Sequence, residues 1–272
     1  MHAEAPIGIF DSGVGGLSVL RHIHAQLPHE HLLYFADAAY APYGEKSEDL
    51  LAERALAIAR FLLGRGAKAL VVACNTATVA AVKVLRAHYP DLPIVGVEPG
   101  LKPGAAASRS GKVGVLATEA TLAGEKFLAL RDQIAASHGA QFLLQGCPGL
   151  ADQVDLGELN TPETVALLER FIEPLLAQGA DTLVLGCTHY PFVREAIGEI
   201  LHRKGGRNVT LIDTGDAVAR QLQRLLEAAG LARQSGTATV TGFTTGAGEA
   251  LAAAFTNLLG MAVAAHEVHA LP

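Results

Sequence analysis

Short apolar runs alternate with longer stretches of helical periodicity along this chain of 272 residues. A short apolar run between turn residues is typical of a strand buried on both faces, and strands that alternate with helices are typical of a parallel sheet. The pattern predicts strands at residues 6–10, 31–36, 67–73, 94–97, 112–116, 141–144, 182–185, 209–212 and 238–241. We therefore expect an α/β fold with mostly parallel sheets.

Two of these runs end alike, in a cysteine followed by small polar residues and then a helical pattern. The cysteines are Cys74 and Cys187. Doubly wound sheets build their sites at the carboxyl ends of strands, so both thiols are predicted to lie in site positions. Two thiols from matching halves could approach one substrate carbon from opposite faces, which is the geometry that a racemase or an epimerase needs.

The similarity extends to an earlier pair of strands. Residues 7–13 match residues 113–119 in pattern, and Gly8 and Gly114 precede the two cysteines by similar numbers of residues. Matching offsets favour a duplicated unit over two chance strands. The clearest boundary between the copies is the segment at residues 98–111, which is rich in proline, glycine, alanine and serine.

Composition narrows the classes of function. Hydrophobic residues make up 50% of the chain and charged residues 18%, which allows a large core and excludes a disordered chain. A net charge of −6 without a basic run offers no attraction for nucleic acid. The chain opens without a signal-peptide pattern, and the apolar stretch at residues 250–265 is too short to span a bilayer. We interpret that stretch as a helix end that passes into a strand.

The three cysteines form an odd number without framework spacing, which favours free thiols in a reducing cytoplasm. A free cysteine in a core is usually a small apolar filler. Cys74 and Cys187, however, precede predicted helix starts, where the helix N-terminus favours a thiolate. We predict a catalytic role for these two and a structural role for Cys147. His189 could serve as acid, base or thiolate partner, whereas the early histidines are expected at the solvated surface, without a metal set.

Two loops offer further chemistry. Residues 11–16 follow a strand and open a helix, which suggests a phosphate-binding loop, but the spacing fits neither the dinucleotide-binding nor the Walker pattern. Asp11 would repel a phosphate and suits a cationic group such as an ammonium; the alternative is a capping aspartate before a tight glycine turn. Residues 37–44, with a proline and two tyrosines, form either a shaped pocket wall or a plain surface turn.

Taken together, these segments resemble the cofactor-independent aspartate/glutamate racemase family. The matching residues are 8–17, 37–44, 73–77, 96–100, 114–118 and 186–191, in the family order. The resemblance implies two pseudo-symmetric three-layer α/β domains with the active site in the interdomain cleft, the second domain being inserted in the first. On this basis we expect a first domain of residues 1–98 and 209–272, and a second of residues 99–208.

The resemblance further implies an isomerase that interconverts L- and D-glutamate and so supplies D-glutamate for peptidoglycan, with no cofactor and no metal. Cys74 would take the α-proton from D-glutamate and Cys187 from L-glutamate. Asp11 and His189 would assist the two thiols and orient the ammonium group. The donors implied for the α-carboxylate are Asn75, Thr76, Thr118, Thr121 and Thr188, and the residues implied for the side-chain carboxylate are Ser12, Pro42, Tyr43 and Gly44.

One departure from the family pattern follows the loop at Cys147-Pro148. Family members commonly carry an auxiliary glutamate there, where this chain has Asp155, which has a shorter reach. The alternatives are an aspartate racemase or another amino-acid racemase of the superfamily, and a non-catalytic two-domain amino-acid-binding protein. A redox or metal protein is disfavoured by the absence of a CxxC motif. The expected partners are glutamate and a second copy of the chain in a homodimer, with neither nucleic acid nor a membrane.

Overall fold

The chain folds into two compact units, each built on its own parallel sheet. The computed structural model describes residues 2–206 and 208–271. One unit comprises Met1–Val97 and Gly215–Pro272, and the other comprises Glu98–Thr214. The second unit is thus an insertion in the first.

The secondary structure alternates between strands and helices throughout the described chain. The strands are β1 (Ile7–Asp11), β2 (Leu32–Ala36), β3 (Ala69–Val72), β4 (Ile94–Gly96), β5 (Lys112–Ala117), β6 (Gln141–Gly146), β7 (Thr182–Leu185), β8 (Thr210–Ile212), β9 (Val240–Thr244) and β10 (Ala264–Glu267). The α-helices are α1 (Leu17–Gln26), α2 (Glu48–Gly64), α3 (Asn75–His88), α4 (Leu101–Ala107), α5 (Glu119–Ala123), α6 (Glu125–His138), α7 (Leu150–Asp155), α8 (Pro162–Ala177), α9 (Arg194–Arg203), α10 (Gly215–Ala228) and α11 (Gly248–Leu259). Short 3-10 helices cover Ala38–Tyr40, Tyr43–Glu45 and Tyr190–Val193.

Each strand predicted from the apolar pattern overlaps an observed strand. The stretch at residues 250–265 is helix α11 followed by the start of β10, as interpreted from the sequence. The chain returns to the first unit later than expected, at Gly215 rather than at residue 209. Strand β8 pairs with β7 and therefore extends the second sheet. An apolar pattern predicts that a strand exists but does not say which sheet edge it joins.

The two sheets repeat one strand order. The first runs β10-β9-β2-β1-β3-β4 and the second β6-β5-β7-β8, with every pairing parallel. Strands β2-β1-β3-β4 therefore correspond to β6-β5-β7-β8. Gly8 pairs with Leu70 on β3, and Gly114 pairs with Leu183 on β7. The cysteine follows that partner at the same spacing in both sheets, so Cys74 and Cys187 occupy equivalent positions.

Helices cover both faces of each sheet, giving each unit three layers. In the first unit, α2 and α3 pack on the face that Gly8 presents, where an added Cβ would lie 3.0 Å from Cδ1 of Leu62. Helices α1 and α10 pack against each other, and α10 contacts β4. In the second unit a Cβ on Gly114 would lie 2.9 Å from Cδ1 of Leu175 in α8, while α4 and α6 share a core with Val113 and Val115. Across the described residues, no helix combines the length and apolarity needed to cross a membrane.

Candidate active site

Cys74 lies at the carboxyl end of β3 and is the N-cap residue of α3. Its backbone is extended, with φ −131° and ψ 126°, and its carbonyl accepts the N–H of Thr78 at 2.8 Å, so α3 begins directly after the thiol. The side chain is buried, and its Sγ lies 3.9 Å from Oγ of Ser12. Asn75, which is buried, and Thr76, which is half-buried, follow in the first turn of α3. Sequence and structure agree on this helix start.

Asp11 is the last residue of β1 and is fully buried. Its Oδ1 accepts the N–H of Ser12 at 2.6 Å and the hydroxyl of Ser12 at 3.1 Å, and its Oδ2 accepts the N–H of Gly16. These are the N–H groups that a phosphate would need at the start of α1. The carboxylate already occupies that position, so the loop does not serve as a phosphate cradle.

Gly16 allows this turn to close. A Cβ there would lie 2.7 Å from Cβ of Asp11, 2.9 Å from the hydroxyl oxygen of Tyr34 and 3.0 Å from Cβ of Ala73. Real Cβ atoms do not approach other atoms so closely, so the turn requires glycine at this position. The glycine-rich motif thus allows the turn to pack closely around Asp11.

The surroundings of Cys74 disfavour its thiolate. Burial raises the pKa of the thiol, the negative charge of Asp11 raises it further, and hydrogen bonds from the Ala77 N–H and from Ser12 lower it by less. The influence expected of the helix N-terminus is present, since the Ala77 N–H of α3 lowers the pKa of Cys74. Desolvation next to a carboxylate outweighs the few N–H dipoles of one helical turn, and Cys74 is a neutral thiol near neutral pH.

Residues 38–45, here called the 38–45 loop, follow β2 and contain three residues expected to bind substrate. Pro42 and Gly44 are exposed, and the peptide bond before Pro42 is cis. Tyr43 is buried, and its hydroxyl donates to Oδ2 of Asp37 at 2.6 Å. Burial, and then the charge of Asp37, raise the pKa of Tyr43, so the phenol stays a neutral donor. Because that donor is already engaged, the loop offers a ligand its backbone rather than the Tyr43 hydroxyl.

In the second unit, Cys187 follows β7 and is half-buried. The expected helix does not start directly after it. A turn closes by the N–H of Tyr190 donating to the carbonyl of Cys187 at 3.1 Å, a 3-10 helix follows at Tyr190–Val193, and α9 begins only at Arg194. Pro191 explains the difference, since proline lacks the N–H that an α-helix starting at Cys187 would use.

His189 bridges the thiol to a carboxylate. Its Nδ1 lies 3.5 Å from Sγ of Cys187 and its Nε2 lies 3.1 Å from Oδ1 of Asp155. Burial alone would lower the pKa of the imidazole, but the charge of Cys187 and the hydrogen bond to Asp155 raise it well above its ordinary value. The charged imidazolium form is therefore favoured, between the sulfur of Cys187 on one side and a half-exposed carboxylate on the other.

Asp155 is the last residue of α7, and it stands where the family pattern has an auxiliary glutamate. Its shorter side chain nevertheless reaches His189, because α7 contacts the 3-10 helix that follows His189. Thr118, at the end of β5, caps α5 by accepting the N–H of Thr121 at 3.2 Å, and the two hydroxyl oxygens lie 2.9 Å apart. Thr188 is buried beside Cys187. Since β5 and β7 are neighbours, these predicted donors share one sheet edge with Cys187.

Cys147, at the end of β6, is buried with its Sγ 3.5 Å from the carbonyl oxygen of Gln145. Burial raises the pKa of this thiol to about 12. Its position corresponds to that of Asp37, since Leu143 pairs with Gly114 as Leu33 pairs with Gly8. Within the described part of the chain, no three or more histidine, cysteine, aspartate or glutamate side chains are grouped so that they could hold a metal ion.

Sequence reasoning missed two residues of the first unit that support the 38–45 loop. Arg54 of α2 donates to both carboxylate oxygens of Asp37, and Thr245, after β9, donates to Oδ1 of Asp37. Neither residue lies in a recognisable motif. The only signal was an arginine at residue 54 in the amphipathic pattern of α2, and an arginine on such a helix is usually solvated.

Comparison with known proteins gives a consistent result. The family model described as Asp/Glu/Hydantoin racemase matches residues 7–222. A glutamate racemase from Ectopseudomonas mendocina (strain ymp) is 57% identical over 224 residues, which is 82% of this chain and 83% of that protein. Among solved structures, a glutamate racemase isoform from Bacillus anthracis superposes with a TM-score of 0.86 at 30% identity, covering 98% of both chains.

The glutamate racemase of Escherichia coli, solved in complex with L-glutamate and the activator UDP-MurNAc-Ala, has a TM-score of 0.83 at 32% identity and covers 97% of both chains. The family match spans both cysteine motifs and most of both units. On these grounds the chain belongs to the Asp/Glu/Hydantoin racemase family.

Proposed function

We propose that this protein interconverts L- and D-glutamate by moving the α-proton between two thiols. The observation that carries the proposal is the equivalence of Cys74 and Cys187 at the carboxyl ends of corresponding strands in two copies of one sheet. The relatives support glutamate as the substrate, since those compared above bear the name glutamate racemase and one of them was solved with L-glutamate.

Each direction of the reaction uses one thiolate as base and the other thiol as acid. With L-glutamate, the Cys187 thiolate takes the α-proton, the electron pair of the C–H bond stays on the α-carbon, and the Cys74 thiol returns a proton to the opposite face. With D-glutamate the two roles are exchanged. A proton is neither gained nor lost overall, and the thiol that gave its proton becomes the base of the reverse step.

The two thiols differ in their surroundings, and the difference suits the L-glutamate direction. Cys74 is held as a neutral thiol by burial and by Asp11, so it is ready to act as the acid. Sγ of Cys187 lies 3.5 Å from Nδ1 of His189, a partner with which this thiol can exchange a proton. We therefore propose that the free protein is in the protonation state that reacts with L-glutamate. D-Glutamate would react with the state in which the two thiols have exchanged their roles as acid and base.

The charges of His189 and Asp11 also give these two residues different roles in binding. An imidazolium repels the substrate ammonium, so we assign His189 to the thiol of Cys187 and assign the ammonium to the carboxylate of Asp11. The developing negative charge on the α-carbon and α-carboxylate would be stabilised by fixed donors in a site that excludes water. The proposed donors are Asn75, Thr76, Thr118, Thr121 and Thr188, with Ser12, Pro42, Tyr43 and Gly44 around the side-chain carboxylate.

We further propose that the protein works in the cytoplasm as a homodimer and supplies D-glutamate for peptidoglycan. Its net charge of −6 and its lack of a basic run accord with a small-molecule substrate rather than nucleic acid. Dimer formation would be measured by sedimentation at several protein concentrations. A monomer at every concentration would contradict this part of the proposal.

The test of the reaction is incubation of the pure protein with L-glutamate or L-aspartate in deuterated water, following optical rotation and α-deuteration. We expect glutamate to racemise and gain deuterium without an added cofactor. Cys74→Ala and Cys187→Ala should each abolish racemisation, while the matched variant Cys147→Ala should keep near-normal turnover. Glutamate binding without deuterium uptake would indicate a binding protein. Faster turnover of aspartate would show that aspartate, rather than glutamate, is the substrate.

A further inference from the structure

The carboxylate of Asp37 joins separate segments of the first unit. Its Oδ1 accepts from Nη2 of Arg54 at 2.6 Å and from the hydroxyl of Thr245 at 2.9 Å. Its Oδ2 accepts from Nε of Arg54 at 3.0 Å and from the hydroxyl of Tyr43 at 2.6 Å. Asp37 is fully buried, so these hydrogen bonds take the place of water around a buried charge.

The partners of Asp37 hold the 38–45 loop at successive points. Tyr43 ties the second half of the loop directly to the carboxylate. The hydroxyl of Thr245, which donates to Asp37, also accepts the N–H of Ala39 at 3.1 Å and so fixes the first half. The backbone N–H of Asp37 donates to the carbonyl of Asp11 at 2.9 Å, which connects the loop to the end of β1. The loop is therefore attached at both ends to one buried group.

Thr245 comes from the returning C-terminal part of the chain, beyond the residues 7–222 that the family model matches. The backbone after it also packs tightly on the loop, since a Cβ on Gly246 would lie 2.9 Å from Cβ of Ala38. A segment far along the sequence thus completes the support of a loop near the start of the chain.

Arg54 does not offer its charge to a ligand. Its guanidinium uses both Nε and Nη2 on Asp37, and its Cζ lies 3.6 Å from the ring centroid of Tyr40 in the same loop. A bidentate pair of this kind has defined geometry as well as strength. The carboxylate of Asp37 thus neutralises the positive charge of Arg54. The 38–45 loop is left with its backbone to bind an anion.

We infer that Asp37 and Thr245 are positioning residues that hold the 38–45 loop in the form that binds the side-chain carboxylate of the substrate. This inference rests on the proposed function, since it assigns the loop to a glutamate carboxylate. Neither residue touches the reacting α-carbon in this scheme. Both act through the backbone and Tyr43 of the loop.

This role predicts an effect on binding rather than on proton transfer. The side-chain carboxylate does not change during the reaction, so contacts to it are equally strong in the ground state and the transition state. Loss of such uniform binding raises KM and leaves kcat nearly unchanged. A loop that must be ordered by the substrate also costs affinity, because part of the binding energy is used to order it.

The test compares Thr245→Val with Thr245→Ser. Valine has nearly the shape of threonine but neither donates to Asp37 nor accepts from Ala39, whereas serine keeps the hydroxyl. We expect the valine variant to raise KM for glutamate roughly tenfold with kcat changed less than about twofold, and serine to restore most of the loss. The matched control is Thr256→Val in α11, whose hydroxyl donates to the carbonyl of Ala252 at 3.2 Å. That control should leave both constants unchanged.

Arg54→Lys provides a second variant if Thr245→Val does not fold. Lysine keeps the positive charge but cannot make the bidentate contact with Asp37, so KM should again rise while kcat stays nearly unchanged. A normal KM in a folded Thr245→Val or Arg54→Lys protein would overturn the inference. So would a loss of kcat at unchanged KM, which would place these residues in the chemistry or in general stability.

Amide hydrogen exchange without substrate separates this inference from the proposed function. The N–H groups of residues 39–41 and 43–45 should exchange roughly tenfold faster in Thr245→Val than in the wild-type protein, with strand β1 unchanged. Unchanged exchange in the loop would contradict the anchoring role whatever the substrate is. A wild-type protein that does not racemise glutamate would instead contradict the proposed function, and the exchange result would still decide whether Thr245 anchors the loop.

Discussion

Oδ1 of Asp155 lies 3.1 Å from Nε2 of His189, on the side of the imidazole opposite to Cys187. The contact gives the imidazole a fixed orientation and favours its charged form. It also shows that an aspartate is long enough here, since the last turn of α7 brings the carboxylate close. The electrostatic state of the Cys187 half of the site therefore depends on a residue outside the cysteine motif.

Asp155→Asn should weaken the reaction of L-glutamate. Removal of the carboxylate charge lowers the pKa of His189, so the imidazolium beside Cys187 is lost at a lower pH than in the wild-type protein. We expect kcat/KM for L-glutamate to fall roughly tenfold, which corresponds to about 1.4 kcal/mol, and its high-pH limb to move to lower pH. The measurement is the pH profile of kcat/KM.

Asp152→Asn on the same helix is the matched control, because it removes one negative charge from α7 without removing the contact to His189. Asp155→Glu should keep most of the activity. An Asp155→Asn profile that overlies the wild-type profile would show that the carboxylate does not control the imidazole.

Asp11→Asn should reduce both stability and activity. Both carboxylate oxygens accept backbone N–H groups, from Ser12 and Gly16, whereas an asparagine has one acceptor oxygen and must turn its NH₂ group towards the other N–H. A buried unsatisfied donor costs about 1–3 kcal/mol, so the free energy of unfolding should fall by that amount. Denaturant unfolding measures this change.

The same substitution removes the negative charge that helps to keep Cys74 protonated. We expect the pKa of the Cys74 thiol to fall. The measurement is the rate of thiol alkylation as a function of pH, made in proteins that also carry Cys187→Ala. Unchanged stability and unchanged alkylation would mean that Asp11 neither caps α1 nor acts on Cys74.

Gly16→Ala and Gly13→Ala form a matched pair in one turn. A Cβ on Gly16 would collide with Asp11, Tyr34 and Ala73, whereas a Cβ on Gly13 meets no atom within 4 Å. Overpacking of this kind costs about 1–3 kcal/mol, so Gly16→Ala should lower the free energy of unfolding by that amount and Gly13→Ala by far less. Equal losses would show that the turn relaxes around the added methyl group.

Asp181 should contribute stability that disappears in acid. Burial alone would raise its pKa, but the hydroxyl of Ser108 donates to its Oδ1 at 2.6 Å, and the N–H groups of Arg109 and Ser110 donate to its Oδ2 at 2.8 and 2.7 Å. The pKa is lowered to about 2. Because the folded pKa lies below the unfolded one, the contribution is complete above about pH 4 and is lost as the pH falls to about 2.

The measurement is the melting temperature of wild-type protein and Asp181→Asn against pH. The difference in melting temperature between the two proteins should be present near neutral pH and should shrink as the pH falls from about 4 to about 2. Asp91→Asn, at an exposed turn, is the control and should show no such trend. A difference that persists below about pH 2 would contradict the assignment, since both forms are then uncharged at this position.

Local sequence was enough to predict the strands, the cysteine positions and the repeat. The runs before Cys74 and Cys187 are continuous and apolar because strands in a parallel sheet are buried on both faces, and this pattern is legible without any knowledge of neighbours. The N-cap of α8, Thr161, accepts the N–H of Thr164 at 3.3 Å, and the next residue, Pro162, opens the helix, a threonine-proline order that is typical of helix starts. Such features depend on residues close together in the chain.

Tertiary structure decided the features that depend on distant residues. The sheet that receives Thr210–Ile212, the contact between Asp155 and His189, and the support of the 38–45 loop by Thr245 all join segments far apart in sequence. The pKa of Cys74 was likewise beyond local reasoning, because desolvation depends on everything that packs around the thiol. The sequence by itself determined where the two thiols lie on their strands; packing and burial determined the protonation state of Cys74 and the side chains that support the site.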